Sequence, residues 1–163
     1  MRRGLAVVLA VAGCAGHPPP PAVPGPVLDA TWAALDGGEV RLAELRGQIV
    51  VLHLFTTWSA AADLENDALA RVDARPDVTV IGLALDPDGY TVVAPWRRGA
   101  GVAFLIALAD DATRAGAGPL GRVAQIPTTI VLDRSGRVAV RADRQLAPAE
   151  LDAAIARARS RAC

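Results

Sequence analysis

Apolar residues gather along this chain in short runs whose length and spacing set its elements. Two early segments, Thr31–Leu35 and Val40–Leu42, flank Asp36-Gly37-Gly38, a hairpin signal. Ile49–Phe55 is an apolar run broken only by His53, as expected of a strand buried on both faces. The period then changes. From Ala60 to about Ala74, Leu64, Ala68 and Val72 recur at i, i+4 and i+8 with Asp63, Asp67 and Arg71 off the stripe, so this segment is expected to be a helix. Ser59 is placed to cap it, and Pro76-Asp77 ends it. Val78–Leu85 reads as a second buried strand, stopped by Asp86-Pro87-Asp88-Gly89. A weaker helix covers about Thr91–Arg98, with Pro95 limiting its extent, and Phe104–Leu108 is a further short strand. The Gly-rich stretch Ala115–Gly121 leads through Arg122–Ile126 into a loop at Pro127. Thr128–Asp133 and Arg137–Arg141 flank the turn Arg134-Ser135-Gly136, and Pro148–Arg159 forms a last helix with Leu151 and Ile155 on its apolar side.

The order is hairpin, β-α-β-α-β, short helix, β-β, α. That alternation predicts an α/β layer protein, a central mixed sheet with helices on both faces. The folded part is expected to span 27–163, one domain with no internal repeat and enough residues for a proper core.

The N-terminal segment does not belong to that core. Arg2-Arg3 precedes a short apolar stretch, Leu5–Ala12, too short to span a bilayer and suited to a secretory signal. Val11-Ala12-Gly13-Cys14 resembles a bacterial lipobox. The resemblance implies cleavage after Gly13, a lipidated Cys14, and anchoring of residues 14–26 to a lipid bilayer without a transmembrane helix. Ala15, where Asp would signal inner-membrane retention, points to the outer membrane over the inner. Residues 15–26 hold six of the twelve prolines. Such a run favours extended polyproline II, reaching roughly 37 Å over twelve residues. His17 lies in this tether and is expected to be solvated.

Charge and composition narrow the chemistry. Without Arg2 and Arg3 the chain has 15 basic and 17 acidic residues, with no basic patch of the kind nucleic acid requires. Lysine is absent, which excludes Ser–Lys and Schiff-base chemistry. There are two cysteines in the whole chain. If lipid takes Cys14, only the terminal Cys163 stays a free thiol, able to form mixed disulfides or a disulfide-linked dimer but not an internal disulfide. No metal or cofactor is expected.

Two separated segments carry a resemblance. Ile49–Ala62, I-V-V-L-H-L-F-T-T-W-S-A-A-A, and Gln125–Asp133, Q-I-P-T-T-I-V-L-D, resemble the active-site and proline-loop segments of thioredoxin-like proteins of the TlpA/ResA type. The resemblance covers nearly all of 27–160. It implies a thioredoxin-like fold with an N-terminal β-hairpin extension, and a cis peptide before Pro127. In that family the first segment carries Cys-x-x-Cys at a helix start, where the helix lowers the first thiol's pKa and the second resolves the mixed disulfide. Here those two positions are Ser59 and Ala62.

Ser59 cannot ionise as a thiol does, and Ala62 cannot resolve anything. Nor is a base at hand. Besides His17 the only histidine is His53, six residues back along the strand at roughly 3.3 Å per residue. His53 is expected to be a strand residue bonded to a neighbour. The pattern Thr56–Ser59 also mimics the Thr-x-x-Cys of peroxiredoxins, again with Ser in place of the reactive sulfur. Residues 59–63 hold no Cys-x-x-x-Cys copper site.

No catalytic residue is therefore expected. The positions to examine are a groove of Trp58, Ser59, Pro127 and Thr128 that could hold an extended polypeptide by backbone pairing. The expectation is an envelope-anchored, periplasm-facing binding, assembly or scaffold protein that lacks redox chemistry at the usual site. Its alternative is a thiol-disulfide oxidoreductase or peroxiredoxin-like antioxidant working through Cys163 or a partner's thiol. Trp96-Arg97-Arg98 reads either as a basic-aromatic surface or as a solvated helix end.

Overall fold

The computed structural model describes residues 25–161, so Cys14, His17 and Cys163 lie outside the described residues. Seven strands form one sheet in the order β2-β1-β5-β4-β3-β6-β7. They are β1 (Thr31–Ala34), β2 (Glu39–Arg41), β3 (Ile49–Phe55), β4 (Val78–Ala84), β5 (Leu105–Leu108), β6 (Thr128–Leu132) and β7 (Val138–Ala142). β3, β4 and β5 run parallel, and β1, β2, β6 and β7 pair antiparallel with their neighbours. The sheet is thus mixed and the fold thioredoxin-like, with the hairpin β1–β2 added at one edge.

Residue parity along the strands divides the core in two. Ile49, Val51 and Phe55 of β3 face a cluster with Val131, Leu69, Val93, Leu151 and Ile155, whereas Val50, Leu52 and Leu54 face Trp32, Leu42, Ile81, Ile130 and Leu120. The first cluster lies under the three long helices, α2 (Asn66–Asp73), α3 (Tyr90–Ala100) and α5 (Pro148–Ser160). The opposite face is closed by a 3-10 turn at Leu42–Leu45, the single turn α4 (Asp111–Arg114) and the loop through Leu120. α4 is fixed there by the Trp32 indole N–H, which donates to Thr113 Oγ1 at 3.0 Å.

The segment expected to be one helix over residues 60–74 is two. α1 (Ala60–Asp63) stops, Leu64–Glu65 intervene, and α2 begins at Asn66. The Leu64–Ala68–Val72 stripe fails for that reason: Leu64 is 74% exposed, and Leu69 and Val72 carry the burial. The residue that turns inward at the break is Glu65, whose carboxylate accepts the Leu146 N–H at 2.7 Å. α3 instead runs further than expected, through Pro95, which merely has no N–H to give the Thr91 carbonyl.

The chain enters along the β7 edge. Val27 bridges Arg137, Leu28 N–H donates to Gly136 O at 2.9 Å, and Val138 N–H donates to Pro26 O at 3.0 Å. Gly25 is pressed so close that a Cβ there would lie 2.3 Å from Val138 O. Among the described residues no helix is long and apolar enough to cross a membrane.

Candidate functional site

Register brings the two singled-out segments together. Leu54 of β3 pairs with Thr128 of β6, and His53 with Thr129. The chain leaving β3 through Thr56–Ser59 and the chain entering β6 through Ile126–Pro127 therefore meet at one end of the sheet. The Ile126–Pro127 peptide is cis.

Three interactions fix the loop after β3. Thr57 N–H points at the Asp86 carboxylate, 3.2 and 3.1 Å from its two oxygens, and Thr57 Oγ1–H donates to Asp86 Oδ1 at 2.6 Å. Asp86 is buried at the end of β4, so this clamp ties the loop to the neighbouring strand. Ser59 caps α1, its Oγ accepting Ala62 N–H at 3.3 Å. Phe55 packs against Trp96 with ring centroids 4.6 Å apart, and the Trp96 indole N–H donates to Asp63 Oδ1 at 3.1 Å. Trp96 thus joins α3 to α1. Arg97 bonds Val102 O and Asp36, so neither reading of the Trp96–Arg98 segment describes its first two residues.

Each expected groove residue has a distinct place. Trp58 is 69% exposed and forms the free surface of the site. Ser59 is half-buried, and Pro127 and Thr128 are buried. Thr128 Oγ1 stands 2.8 Å from Gln125 O and 3.0 Å from Asp143 Oδ1, so its hydroxyl braces the loop rather than facing solvent. Ala124 and Gln125 are the exposed residues of this loop, and Ile126 is half-buried. Ala62 is buried at 1% exposure.

Beneath the loop lies a pair that the sequence did not reveal. His53 Nδ1 lies 3.3 Å from Thr129 Oγ1, as a strand histidine bonded to a neighbour should, and also 3.7 Å from Glu65 Oε2. Both side chains are buried, and His53 Nε2, Thr56 Oγ1 and Glu65 Oε2 have no protein partner. Burial pushes His53 down from its ordinary 6.5 to about 4, so the imidazole is neutral near pH 7. Burial pushes Glu65 up, against the Leu146 N–H and the nearby Arg144 cation, which pull it down. The sequence showed a histidine in a strand and a glutamate in a helix; nothing in their spacing of twelve residues marked them as partners. Asp86 likewise read only as the end of a strand.

The arrangement holds no thiol, because the positions next to Trp58 are Ser59 and Ala62. Among the described residues no group of three His, Cys, Asp or Glu side chains could hold a metal ion.

Comparison with solved structures establishes the fold independently. A thiol:disulfide interchange protein from Chlorobium tepidum is 24% identical, with 84% of this chain and 97% of that one covered and a TM-score of 0.69. A secreted thiol-disulfide isomerase from Corynebacterium glutamicum is 23% identical over 93% of this chain and 98% of its own, TM-score 0.71. A DsbF homologue from Corynebacterium diphtheriae is 23% identical over 92% and 99%, TM-score 0.69. No curated protein matches the chain. Residues 23–141 match the AhpC/TSA family, and since that is well over half of its length, the chain belongs to this family.

Proposed function

We propose that this protein is a TlpA-type thioredoxin-like lipoprotein of the cell envelope, anchored through Cys14, facing the periplasm, without redox catalysis at the usual site. In this reading it binds an extended polypeptide, as a scaffold or assembly factor, in the groove of Trp58, Ser59, Pro127 and Thr128, where Trp58 and Ser59 present the accessible side chains and the buried Pro127 and Thr128 brace the wall. The observation that carries it is a braced loop with an exposed tryptophan and no sulfur. The Thr57–Asp86 clamp and the Ser59 cap fix the loop that holds Trp58 outward, where its ring is 69% exposed and open to a partner. Extracytoplasmic placement draws support from the Corynebacterium glutamicum neighbour, described as secreted.

One reading competes, favoured by neighbours described as thiol:disulfide interchange proteins: an oxidoreductase acting through Cys163 or through a partner's thiol. The full chain and its Cys163→Ala variant separate the two in an insulin-disulfide reduction assay with dithiothreitol. A binding protein gives no rate above the reductant alone in either form. A clear rate lost with Cys163 refutes the binding reading. The groove is tested alongside by titrating unfolded polypeptide and following tryptophan fluorescence. Trp58→Ala should fold normally and bind several-fold more weakly, because exposed substitutions alter stability by only about 0.5 kcal/mol.

A further inference from the structure

We propose that Glu65 and His53 form a proton-operated latch between the two sides of the site. The ionised carboxylate holds the loop before α5 through Leu146, and the protonated acid turns its O–H to His53 Nδ1 and loosens that loop. This goes beyond polypeptide binding and stands or falls without it.

The geometry offers Glu65 two engagements, one on each carboxyl oxygen. Its Oε1 accepts Leu146 N–H at 2.7 Å, and its Oε2, otherwise unpartnered, stands 3.7 Å from His53 Nδ1. That second distance is too long for a hydrogen bond, and a small rotation of the carboxyl closes it. With Glu65 ionised and His53 neutral, the carboxylate can only accept, so the bond to Leu146 N–H is charge-assisted and strong. When a proton from solvent reaches Oε2, the acid becomes a donor, and in the Nε2–H tautomer of the neutral imidazole Nδ1 is its acceptor. The Leu146 bond then weakens to an ordinary neutral one. Thr129 Oγ1, 3.3 Å from the same Nδ1, has to share it or give it up.

Four parts of the fold meet at this proton. Glu65 occupies the break between α1 and α2, directly after the exposed Leu64. His53 is in the middle of the sheet, Thr129 follows Pro127–Thr128 in β6, and Leu146 precedes α5. A groove opens on the surface between Leu64, Ala68, Leu146 and Pro148, so the loop has room to move away. The charges around the pair are few. Arg144 is the cation that bears on Glu65, and it is itself held by Glu150 of α5. Asp143, beside Thr128, is held by Arg141. His53 is faced by Thr129 on β6, Gly82 on β4 and the Phe55 ring, with no charge among them. The order of events follows from burial, which raises Glu65 and lowers His53, so on acidification Glu65 takes its proton first, while His53 is still neutral.

The test is amide exchange and carboxyl titration by NMR on the full chain, from about pH 7.5 to about pH 4.5, with rates corrected for intrinsic exchange. Exchange protection of the Leu146 amide should fall by about tenfold, the scale of converting a charged bond to a neutral one. Amides of Val51 and Val131 in the central strands should keep theirs, and the Glu65 carboxyl carbon should titrate with a raised midpoint. Glu65→Gln, which can both donate to His53 and accept from Leu146, should show low Leu146 protection at both pH values. His53→Asn keeps a neutral partner for Thr129 but no imidazole acceptor, and should hold Leu146 protected to lower pH. The proposal is overturned if Leu146 protection is flat in the wild type or if its pH dependence persists in Glu65→Gln. It is equally overturned if the central strands lose protection in parallel. Should Glu65→Gln fail to fold, the wild-type titration and His53→Asn decide alone.

Discussion

Replacing His53 by Asn should flatten the acid side of this protein's stability curve. The side chain is 1% exposed, and burial lowers its pKa from 6.5 in an open chain to about 4 in the fold. Between those values the unfolded chain binds a proton that the folded protein refuses, so stability rises with pH across that window. The His53 contribution is fully present above pH 6.5 and is lost as pH falls toward 4. At ~1.4 kcal/mol for each tenfold, the loss is about 3 kcal/mol, a large share of the 5–15 kcal/mol typical of a domain. Glu65 works in the opposite direction. Its pKa is raised, so its contribution is present at low pH and is lost as pH rises through the folded value. Both proteins carry Glu65, so the part of that opposing term that does not depend on His53 cancels in the comparison. The assay is urea unfolding, followed by tryptophan fluorescence, of wild type and His53→Asn at several pH values from 7.5 to 4. Asn can still bond Thr129 Oγ1, so the two should be within about 1–2 kcal/mol at neutral pH. Their difference should then move by about 3 kcal/mol in favour of the variant as pH falls to about 4. Curves that stay parallel would show that the imidazole titrates normally, and the buried, neutral histidine would be refuted.

Other consequences are checked more briefly. Ser59→Cys with Ala62→Cys places one thiol at the cap of α1 and a second three residues on in its first turn, the Cys-x-x-Cys spacing. That variant should form an internal disulfide under oxidation, seen by thiol titration, and should reduce insulin faster than the wild type does; a variant holding two unpaired thiols would contradict the loop geometry. Gly82→Ala puts a Cβ 2.6 Å from Ile106 Cδ1 and 3.0 Å from Phe104 Cε2 in the sealed interior beneath α3. It should cost about 1–3 kcal/mol in chemical denaturation, and a neutral result would mean the layer is loosely packed. Trp32→Phe leaves the buried Thr113 hydroxyl without its indole donor and should lower stability by about 1–3 kcal/mol.

The strands were legible because their signals are local. Ile49–Phe55, Val78–Ala84 and Thr128–Leu132 are apolar runs of strand length with turn residues beside them, and a strand buried on both faces needs nothing else. Ser59 was legible as a cap for the same reason: its partner is three residues away. The helix after it was not. Apolar spacing at 64, 68 and 72 is correct arithmetic for one continuous helix, yet the chain breaks at Glu65 because a buried carboxylate takes the N–H of Leu146, 81 residues away. Asp86 escaped notice likewise, since its partner Thr57 lies 29 residues back, and so did Trp96, whose partners are Phe55 and Asp63. Local pattern reveals what the backbone does; it cannot reveal which polar side chain turns inward to meet a distant partner.

Those inward-turning groups bear on what this site is for. Judged by local stability alone, the two positions beside Trp58 are well filled: Ser accepts a helix N–H at the cap, and a buried Ala suits the first turn. Thr57 and Ser59 both have partners, Asp86 and the Ala62 N–H, which suits a surface that presents Trp58 rigidly, and only the buried Thr56 Oγ1 of this loop lacks one. The layer beneath is the reverse. A carboxylate and an imidazole, both almost wholly buried, leave Glu65 Oε2 and His53 Nε2 without protein partners. Each unpaired buried polar atom costs about 1–3 kcal/mol, and apolar residues of similar volume at 53 and 65 would avoid that cost. Rigidity in the loop and unsatisfied acid–base capacity under it do not arise from a single requirement of folding. Packing accounts for the loop. The pair beneath it brings two groups that burial shifts in opposite directions within 3.7 Å of each other, which is what the proposed latch between His53 and Glu65 requires.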